Sequence, residues 1–334
     1  YLPYINNNFD FAEMLSEMLG ELNASHTGCR YYASGATLST AALGVFLDPS
    51  YEGDGLKIKE IIKRGPFAVK KNEVTPGSII EKIDGTDIKA GEDYNALLDG
   101  KAGKNIRLTI KNAKGKRFDL TIKAISQGAQ QELLYKRWVD RNRAIVDSVS
   151  HGRIAYVHVK AMNSESFRTV YSELLSEKNR TKDAVIVDER HNGGGWLHDD
   201  LCTLLSGKQY QEFVPHGKVV GKDPFNKWTK PSCVLICEDD YSNGHGFPWV
   251  YKELGIGKLI GAPVAGTMTA VWWETLMDRS LVFGIPQVGC RDMRGTFGEN
   301  TTLQPDIEVY NSPEDYITGH DTQLIRAVEE MMKK

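Results

Sequence analysis

The sequence has few cysteines, and their spacing excludes both a disulfide framework and a recognisable metal site. An odd, sparse set of five cysteines does not build a network of disulfides. Two of them, Cys233 and Cys237, lie on one apolar run without a second Cys or His pair at zinc-finger spacing. We therefore expect thiols packed in a core, and no bound metal.

Long apolar runs and a strong net charge are also absent. No run approaches the length that spans a bilayer, and a net charge of −3 argues against a general nucleic-acid surface. The 334 residues, 41% of them hydrophobic, suffice for two or three globular domains. The chain starts at Tyr1 without a visible signal peptide, so we interpret it as a piece of a longer protein whose compartment is not readable.

Residues 234–254 present a hydroxyl in a setting that suits a serine nucleophile. An apolar run predicts a buried strand, a polar segment with two glycines predicts a turn, and apolar residues then recur at helical spacing. Ser242 therefore lies in a turn before a helix, where backbone N–H groups and the helix dipole stabilise negative charge. The simpler alternative is that Ser242 only caps the helix.

A second polar group follows the first helix. Apolar spacing predicts an amphipathic helix over residues 10–23, which Gly20 weakens without breaking. Ser25 and His26 come directly after it, where the negative helix end favours the protonated imidazole. A histidine in this place can equally be a surface cap, so its role stays open on this pattern alone.

Residues 35–127 predict a separate small β-rich domain. Short β-type runs are separated by Gly- and Pro-containing turns, and one short helix lies near residues 94–98. Residues 74–85 resemble the signature stretch of PDZ domains, and Leu43 and Gly44 belong to a weaker match to their carboxylate-binding loop. This resemblance implies peptide binding by strand addition. The alternative is a PDZ fold that only positions its neighbour.

From residue 153 the pattern alternates between strands and helices, which predicts an α/β domain with a largely buried sheet. Active residues should then follow the ends of strands. The strands are expected at residues 153–159, 184–188, 233–238, 259–264 and 281–285, and the first helix at residues 164–177. We divide the chain into an N-terminal helical segment, a PDZ domain, a helical linker and the α/β domain, with bounds 1–34, 35–127, 128–150 and 151–334.

Three consecutive glycines directly follow the strand predicted at residues 184–188. Gly193, Gly194 and Gly195 let the backbone approach another group closely and point an N–H inward. A phosphate cradle would end in Gly-Lys-Ser/Thr or show dinucleotide spacing, and neither is present, so an oxyanion donor fits better. No zinc signature matches the neighbouring polar residues, which are His191, His198, Asp199 and Asp200.

These stretches, with Glu299 in a further polar segment, resemble the tricorn-like branch of the tail-specific (C-terminal-processing) serine proteases. The resemblance covers nearly the whole chain, from residue 21 through the PDZ domain to the α/β domain. It implies a tail-specific protease/crotonase-like catalytic domain with a mixed tetrad. Ser242 matches the nucleophile, His26 the general base, Ser25 the serine that orients it, and Glu299 the acidic partner.

The same resemblance implies an oxyanion hole and neighbouring substrate contacts. The amides of Asn243 and Gly194 match the two oxyanion donors. Further residues are expected as possible substrate contacts: Gly193, Gly195, His245, Leu43 and Gly44.

Two departures from the family pattern bear on the base. The broader tail-specific branch uses a serine–lysine pair, and residues 266–268, where that lysine would fall, contain none. This absence favours a histidine base. Relatives usually carry an acid three places after the nucleophile, whereas this sequence has His245. Because His245 lies one helical turn from Ser242, it is a rival base.

We therefore expect a serine peptidase that cleaves peptides or unfolded proteins through an acyl-enzyme, without metal, organic cofactor, nucleic acid or membrane span. The resemblance also implies upstream β-propellers and a homo-oligomer. Two alternatives remain. One is a catalytically dead scaffold whose PDZ domain binds peptides, and the other is a platform for assembly.

Overall fold

The computed structural model describes residues 1–33, 39–68 and 73–333. Its contacts divide the chain into a larger unit, Tyr1–Ser34 with Asn142–Lys334, and a β-rich unit, Gly35–Arg141. Among the helices of the described residues, none is both long and apolar enough to cross a membrane.

The N-terminal segment consists of a helix and a strand, α1 (Asn8–Gly20) and β1 (Gly28–Tyr31). The side chain of Asn7 accepts the N–H of Asp10 and so caps the start of α1. The prediction that the helix continues past Gly20 to residue 23 is wrong. The helix ends at Gly20 because glycine has a low helix propensity and no side chain to pack.

The β-rich unit is an antiparallel sheet in the order β2-β3-β4-β6-β7, with β5 paired to β4. Buried side chains such as Ile58, Ile80 and Leu108 form its core. A short 3-10 helix, Asn95–Leu98, lies where the sequence predicts one. The strands are β2 (Val45–Leu47), β3 (Leu56–Ile61), β4 (Ile79–Ile83), β5 (Thr86–Asp87), β6 (Asn105–Lys111) and β7 (Arg117–Lys123).

Strands and helices alternate in the remaining chain as far as residue 261, as the sequence predicts, and five further strands then follow without a helix between them. The helices are α2 (Gln127–Val149), α3 (Ser164–Leu174), α4 (Glu177–Arg180), α5 (His198–Leu205), α6 (Asn243–Glu253), α7 (Pro313–Thr318) and α8 (Thr322–Met332). The strands are β8 (Ile154–His158), β9 (Ala184–Asp188), β10 (Gln211–Phe213), β11 (Gly221–Asp223), β12 (Ser232–Ile236), β13 (Lys258–Gly261), β14 (Thr269–Ala270), β15 (Glu274–Thr275), β16 (Leu281–Gly284), β17 (Val288–Gly289) and β18 (Ile307–Glu308).

Five parallel strands build the central sheet of the larger unit, in the order β18-β13-β12-β9-β8. Every residue of β8, β9 and β12 is buried, as expected for a parallel sheet covered on both faces. Apolar side chains of α5 and α6, including Leu201, Phe247 and Tyr251, pack in the same core as Val187 and Val234.

Two predicted elements differ from the structure. The strand expected at residues 281–285 is β16, which pairs antiparallel with β1 and β15 and not with the central sheet. The helix expected at residues 164–177 ends at Leu174, because Ser176 accepts the N–H of Asn179 and so caps a new helix, α4. The pairing of β1 with β16 attaches the N-terminal segment to the rest of the larger unit.

A buried ion cluster joins the end of β9 to the start of α8. The guanidinium of Arg190 donates to both carboxylate oxygens of Asp188 and to both of Asp321. Tyr156 also donates its hydroxyl to Asp188, at 2.8 Å. Arg190 is only 2% exposed, so its charge depends on these carboxylates.

Asp321→Ala should destabilise the larger unit strongly. The change leaves the buried guanidinium of Arg190 with one carboxylate fewer and removes the acceptor of the Leu324 N–H at the start of α8. Breaking a buried ion pair costs about 3–5 kcal/mol of unfolding free energy. Denaturant titration measures the loss. Asp315→Ala, which removes a half-buried helix-capping carboxylate, is the control and should lose less.

Candidate active site

Two loops leave the same edge of the central sheet. Strands β9 and β12 pair in parallel, with Asp188 opposite Leu235, so residues 189–196 and 237–242 start side by side. The backbone N–H of Tyr241 donates to the carbonyl of Asn192, which joins the two loops directly. The glycine run and the candidate nucleophile therefore meet at the carboxyl end of the sheet.

Ser242 precedes α6 but does not cap it. It occupies the N-cap position, yet its side chain makes no capping hydrogen bond, so the alternative of a purely capping serine is wrong. Its backbone has φ 59° and ψ −119°, a conformation that costs free energy in a residue with a side chain. Its N–H donates to Thr267 Oγ1 at 2.8 Å, which holds this strained turn.

Gly194 packs directly against the Ser242 turn. A Cβ added to Gly194 would lie 2.5 Å from Ser242 Cβ and 2.7 Å from the Tyr241 carbonyl oxygen. The residue also has φ +95°, which favours glycine. Glycine is therefore required here for both space and backbone conformation, as the sequence suggests for a close approach.

The two amides predicted as oxyanion donors differ in their present partners. The N–H of Gly194 donates to Asn192 Oδ1 at 2.9 Å. For the Asn243 N–H, in the first turn of α6, no acceptor is found within the part of the chain that the structure describes. The Asn243 side chain accepts the N–H groups of Leu197 and His198, so it anchors the start of α5.

Ser25, His26, Glu299 and Thr269 form one hydrogen-bonded group. Ser25 Oγ lies 2.8 Å from His26 Nδ1, 2.9 Å from Glu299 Oε2 and 2.7 Å from Thr269 Oγ1. Thr269 Oγ1 is also 3.0 Å from His26 Nδ1. The backbone N–H of Ser25 donates to the other oxygen of Glu299. The structure thus brings together three of the four predicted tetrad residues from distant parts of the chain.

The direction of these hydrogen bonds follows from the donors present. Ser25 has one hydroxyl proton, and the Glu299 carboxylate only accepts, so Ser25 donates to Glu299. Ser25 Oγ then accepts from the protonated Nδ1 of His26. In the neutral ring the proton is then on Nδ1 and the lone pair on Nε2, which is the tautomer that a general base requires.

His26 reaches the Ser242 region through Tyr241. The His26 backbone N–H donates to the Tyr241 hydroxyl at 2.7 Å, and the two rings lie 4.9 Å apart between centroids. Thr267 and Thr269, on one short segment, contact Ser242 and His26 respectively. Within the described ranges, no hydrogen bond joins the Ser242 hydroxyl to the imidazole.

The pKa of His26 departs from the sequence-based expectation. Burial lowers it below its ordinary value, and the negative charge of Glu299 opposes this shift without cancelling it. The prediction that the α1 dipole favours the imidazolium is wrong, because α1 ends at Gly20 and desolvation dominates. A neutral imidazole at neutral pH is the form that accepts a proton.

The rival base His245 is buried in α6, with only 1% of its surface exposed. Its Nδ1 accepts the backbone N–H of Thr267 at 3.2 Å, so the ring proton lies on Nε2. Burial lowers the pKa of His245 to about 4. Its accepting nitrogen is thus already used, and its free nitrogen is a donor.

The other predicted substrate contacts differ in their exposure to solvent. Gly193 and Gly195 are exposed beside Gly194. In the β-rich unit Leu43 and Gly44 are buried, and the Gly44 N–H donates to Gln130 Oε1 at 2.9 Å. This amide of the predicted carboxylate-binding loop is therefore occupied in the present conformation.

One group of possible metal ligands lies together among the described residues, and it is not the set considered from the sequence. It consists of His191, Cys237 and Asp239, with His191 Nδ1 3.0 Å from Asp239 Oδ2. Burial holds the pKa of the Cys237 thiol well above its ordinary value, so the thiol is neutral. His198 Nδ1 instead contacts the amide of Asn243.

Four residues at the site were missed by sequence reasoning: Tyr241, Thr267, Thr269 and Asn192. Asn192 is fully buried, and its side chain links the Val159 carbonyl to the Gly194 N–H. Its position between a buried strand and the glycine run was an available signal. The hydroxyl groups of Thr267 and Thr269 gave no such signal in the sequence, because the residues that they contact are distant in the chain.

Two parts of the chain match models of known protein families. Residues 153–309 match the Peptidase family S41, and residues 51–127 match the Tricorn protease PDZ domain. The whole chain is 27% identical to a Tricorn protease homolog of Saccharolobus solfataricus and 26% identical to the Tricorn protease of Thermoplasma acidophilum. It covers 32% of the length of each, so it spans about a third of these relatives.

A solved structure shows the same fold. The crystal structure of the tricorn protease superposes with a TM-score of 0.84 at 25% identity, covering 99% of this chain and 33% of that one.

Gly194→Ala should destabilise the site, whereas Gly193→Ala should not. The added methyl group at residue 194 meets Ser242 and Tyr241 at less than contact distance, while none of the described atoms lies within 4 Å of it at residue 193. Overpacking of this kind costs about 1–3 kcal/mol of unfolding free energy. Denaturant titration of the two variants compares them. Equal stability would show that the Gly194–Ser242 packing is not required.

Proposed function

Because the chain is a tricorn-like member of peptidase family S41 with a PDZ domain, we propose that it cleaves peptide bonds with Ser242 as the nucleophile. The hydroxyl stands in a strained turn at the start of α6 and is free of capping. A nucleophile needs such freedom, because Oγ must move onto the scissile carbonyl carbon.

His26 acts as the general base. It takes the Ser242 hydroxyl proton on Nε2 as the Oγ–C bond forms, and gives that proton to the leaving amine as the C–N bond breaks. A water, deprotonated by the same nitrogen, then hydrolyses the acyl-enzyme. Ser25 and Glu299 hold the ring through Nδ1 and stabilise the imidazolium, which the contacts of 2.8 and 2.9 Å support.

The N–H groups of Asn243 and Gly194 stabilise the oxyanion. The Asn243 amide lies in the first turn of α6, where the helix dipole adds positive potential. The Gly194 N–H already donates to Asn192 Oδ1, so its hydrogen bond to the oxyanion is bifurcated with that side chain. Gly193 and Gly195 flank this donor and contact the substrate backbone.

Peptides or unfolded proteins are the substrates that this chemistry fits. The β-rich unit binds an extended peptide by strand addition at the edge formed by β2. Leu43 and Gly44 remain the predicted contacts there. Binding a carboxylate at Gly44 requires displacement of the Gln130 side chain.

One observation carries the proposal. The chain places the group Ser25–His26–Glu299 beside Tyr241, the residue before Ser242, although these residues come from three distant segments. A serine that only starts a helix would not need a histidine next to its turn with Nε2 held as a hydrogen-bond acceptor.

Ser242→Ala should abolish peptidase activity and leave the fold intact. The test is labelling of the parent chain by a fluorophosphonate, which reacts only with an activated serine, together with turnover of a peptide mixture followed by mass spectrometry. The parent chain should be labelled at Ser242 and the variant should not. A labelled variant, or one that cleaves at the parent rate, would show that Ser242 is not the nucleophile. An unlabelled, inactive parent would favour the scaffold alternative.

Activity should be lost at low pH with an apparent pKa below the ordinary histidine value. Protonation of His26 removes the base, and burial lowers its pKa, so turnover is retained at higher pH and falls as the pH drops through that value. Glu299→Gln removes the charge that raises this pKa, so its profile should shift further toward acid and its turnover should fall. His26→Ala should lose about a hundredfold or more.

The measurement is steady-state turnover of these variants across about pH 5–9, with His245→Ala as the comparison. His245 already uses Nδ1 as an acceptor, so its loss should reduce turnover far less than loss of His26. If His245→Ala is the inactive variant and His26→Ala keeps the parent profile, the base lies on the nucleophile's own helix.

A further inference from the structure

Three side chains of different metal-binding types lie together where the loops after β9 and β12 meet. His191 belongs to the first loop, and Cys237 and Asp239 belong to the second. An imidazole nitrogen, a thiol sulfur and a carboxylate oxygen of these residues all lie within 4.8 Å of one another. This His–Cys–Asp cluster shares no residue with the proposed catalytic group.

The distances within the cluster suit a tetrahedral ion. His191 Nδ1 lies 3.1 Å from Asp239 Oδ1 and 3.8 Å from Cys237 Sγ. Nitrogen, oxygen and sulfur ligands of a tetrahedral Zn²⁺ lie about 3.3–3.6 Å apart, because their bonds to the ion are about 2.0–2.3 Å long. The contact of 2.7 Å between Cys237 Sγ and Asp239 Oδ1 is shorter, and a small rotation of the exposed Asp239 side chain widens it.

The backbone around the sulfur is prepared for a thiolate. Cys237 is only 2% exposed, and its Sγ accepts the backbone N–H of His191 at 3.2 Å. An N–H group donated to sulfur stabilises its negative form. The carboxylate of Asp240 accepts the N–H groups of Cys237 and Asn192, so it fixes both loops at once. The ligands are therefore held close together before any ion arrives.

The charges of the cluster also match a divalent cation. A thiolate and a carboxylate balance two positive charges, and the neutral imidazole completes the set of three ligands. Asp239 pairs with His191 and forms no ion pair with a lysine or arginine in the part of the chain that the structure describes. The sulfur ligand favours Zn²⁺ over Mg²⁺ and Ca²⁺, which prefer oxygen. A water molecule can fill the fourth position, because two of the ligands are exposed.

We propose that His191, Cys237 and Asp239 bind one Zn²⁺, which joins the loop that carries Gly194 to the loop that carries Ser242. The ion replaces the thiol proton, which passes to solvent as the Zn–S bond forms. Its role is to hold the two loops together, and no catalytic step passes through it. The sequence-based expectation of no metal followed from local spacing, whereas these loops are 46 residues apart in the chain.

The binding test uses the full chain without an affinity tag, freed of metal by a chelator. Zn²⁺ is titrated in competition with a chromophoric chelator, and Co²⁺ serves as the spectroscopic probe. The parent chain should bind one Zn²⁺, and bound Co²⁺ should show the near-ultraviolet charge-transfer band of a thiolate ligand. Absence of Zn²⁺ binding, or Co²⁺ binding without this band, would overturn the proposal and leave an ordinary His–Asp ion pair.

Variants with matched controls identify the ligands. Loss of a residue that merely supports a metal ligand costs about 10–100-fold in affinity, so His191→Asn and Asp239→Asn should each weaken Zn²⁺ binding about tenfold or more. Asparagine tolerates the left-handed backbone of His191, at φ 68°. His151→Asn, at an exposed histidine with φ 52°, is its control and should keep the parent affinity. Cys237→Ser should remove the charge-transfer band, whereas Cys290→Ser should keep it. Equal affinities of His191→Asn and the parent would contradict the assignment.

Hydrogen exchange tests whether the ion joins the loops. Because a ligand that binds only the folded state stabilises it, Zn²⁺ should raise the melting temperature and slow exchange in residues 189–194 and 237–242. An adventitious surface ion would leave exchange in these segments unchanged, and that outcome would contradict the proposed role. Ser242→Ala should bind Zn²⁺ as tightly as the parent, so the zinc site and the peptidase function can fail independently.

Discussion

The parallel pairing of β9 with β12 is the constraint on which the candidate site depends. In this register the loop ending in Gly194 and the loop ending in Ser242 start from adjacent strand ends. The backbone of Asn192 then joins the loops, because its carbonyl accepts the Tyr241 N–H and its N–H donates to Asp240 Oδ1. Gly194 packs on Ser242 at a distance that only glycine tolerates. A shift of one residue would reverse the side chains of either strand and separate the two loops.

His26, the proposed base, comes from the other end of the chain, so its position beside Tyr241 is a result of the tertiary fold. Strand β1 starts two residues after His26 and pairs with β16, while Glu299 binds both the backbone and the hydroxyl of Ser25. These contacts hold the N-terminal segment against the C-terminal half of the larger unit. Catalysis by this arrangement thus requires that unit to be folded as a whole.

The two histidines near Ser242 show how partners assign different roles to one side chain. Burial disfavours the charged form of both. His26, however, donates from Nδ1 toward Ser25 and Glu299, which leaves Nε2 as an acceptor. His245 accepts at Nδ1 from Thr267, which leaves Nε2 as a donor. The first is suited to take a proton, whereas the second has no free acceptor nitrogen.

The sequence by itself determined the local elements and the chemical candidates. Continuous apolar runs predicted the strands that precede Ser242 and the glycine run, because parallel strands buried on both faces carry apolar residues throughout. Motif resemblance supplied His26 and Glu299, whose separation in the chain no local pattern could bridge. Only the tertiary structure decided the sheet to which β16 belongs and the direction of the His26 pKa shift. Each of these depends on burial and on partners distant in sequence, such as Thr269, and a local pattern does not contain them.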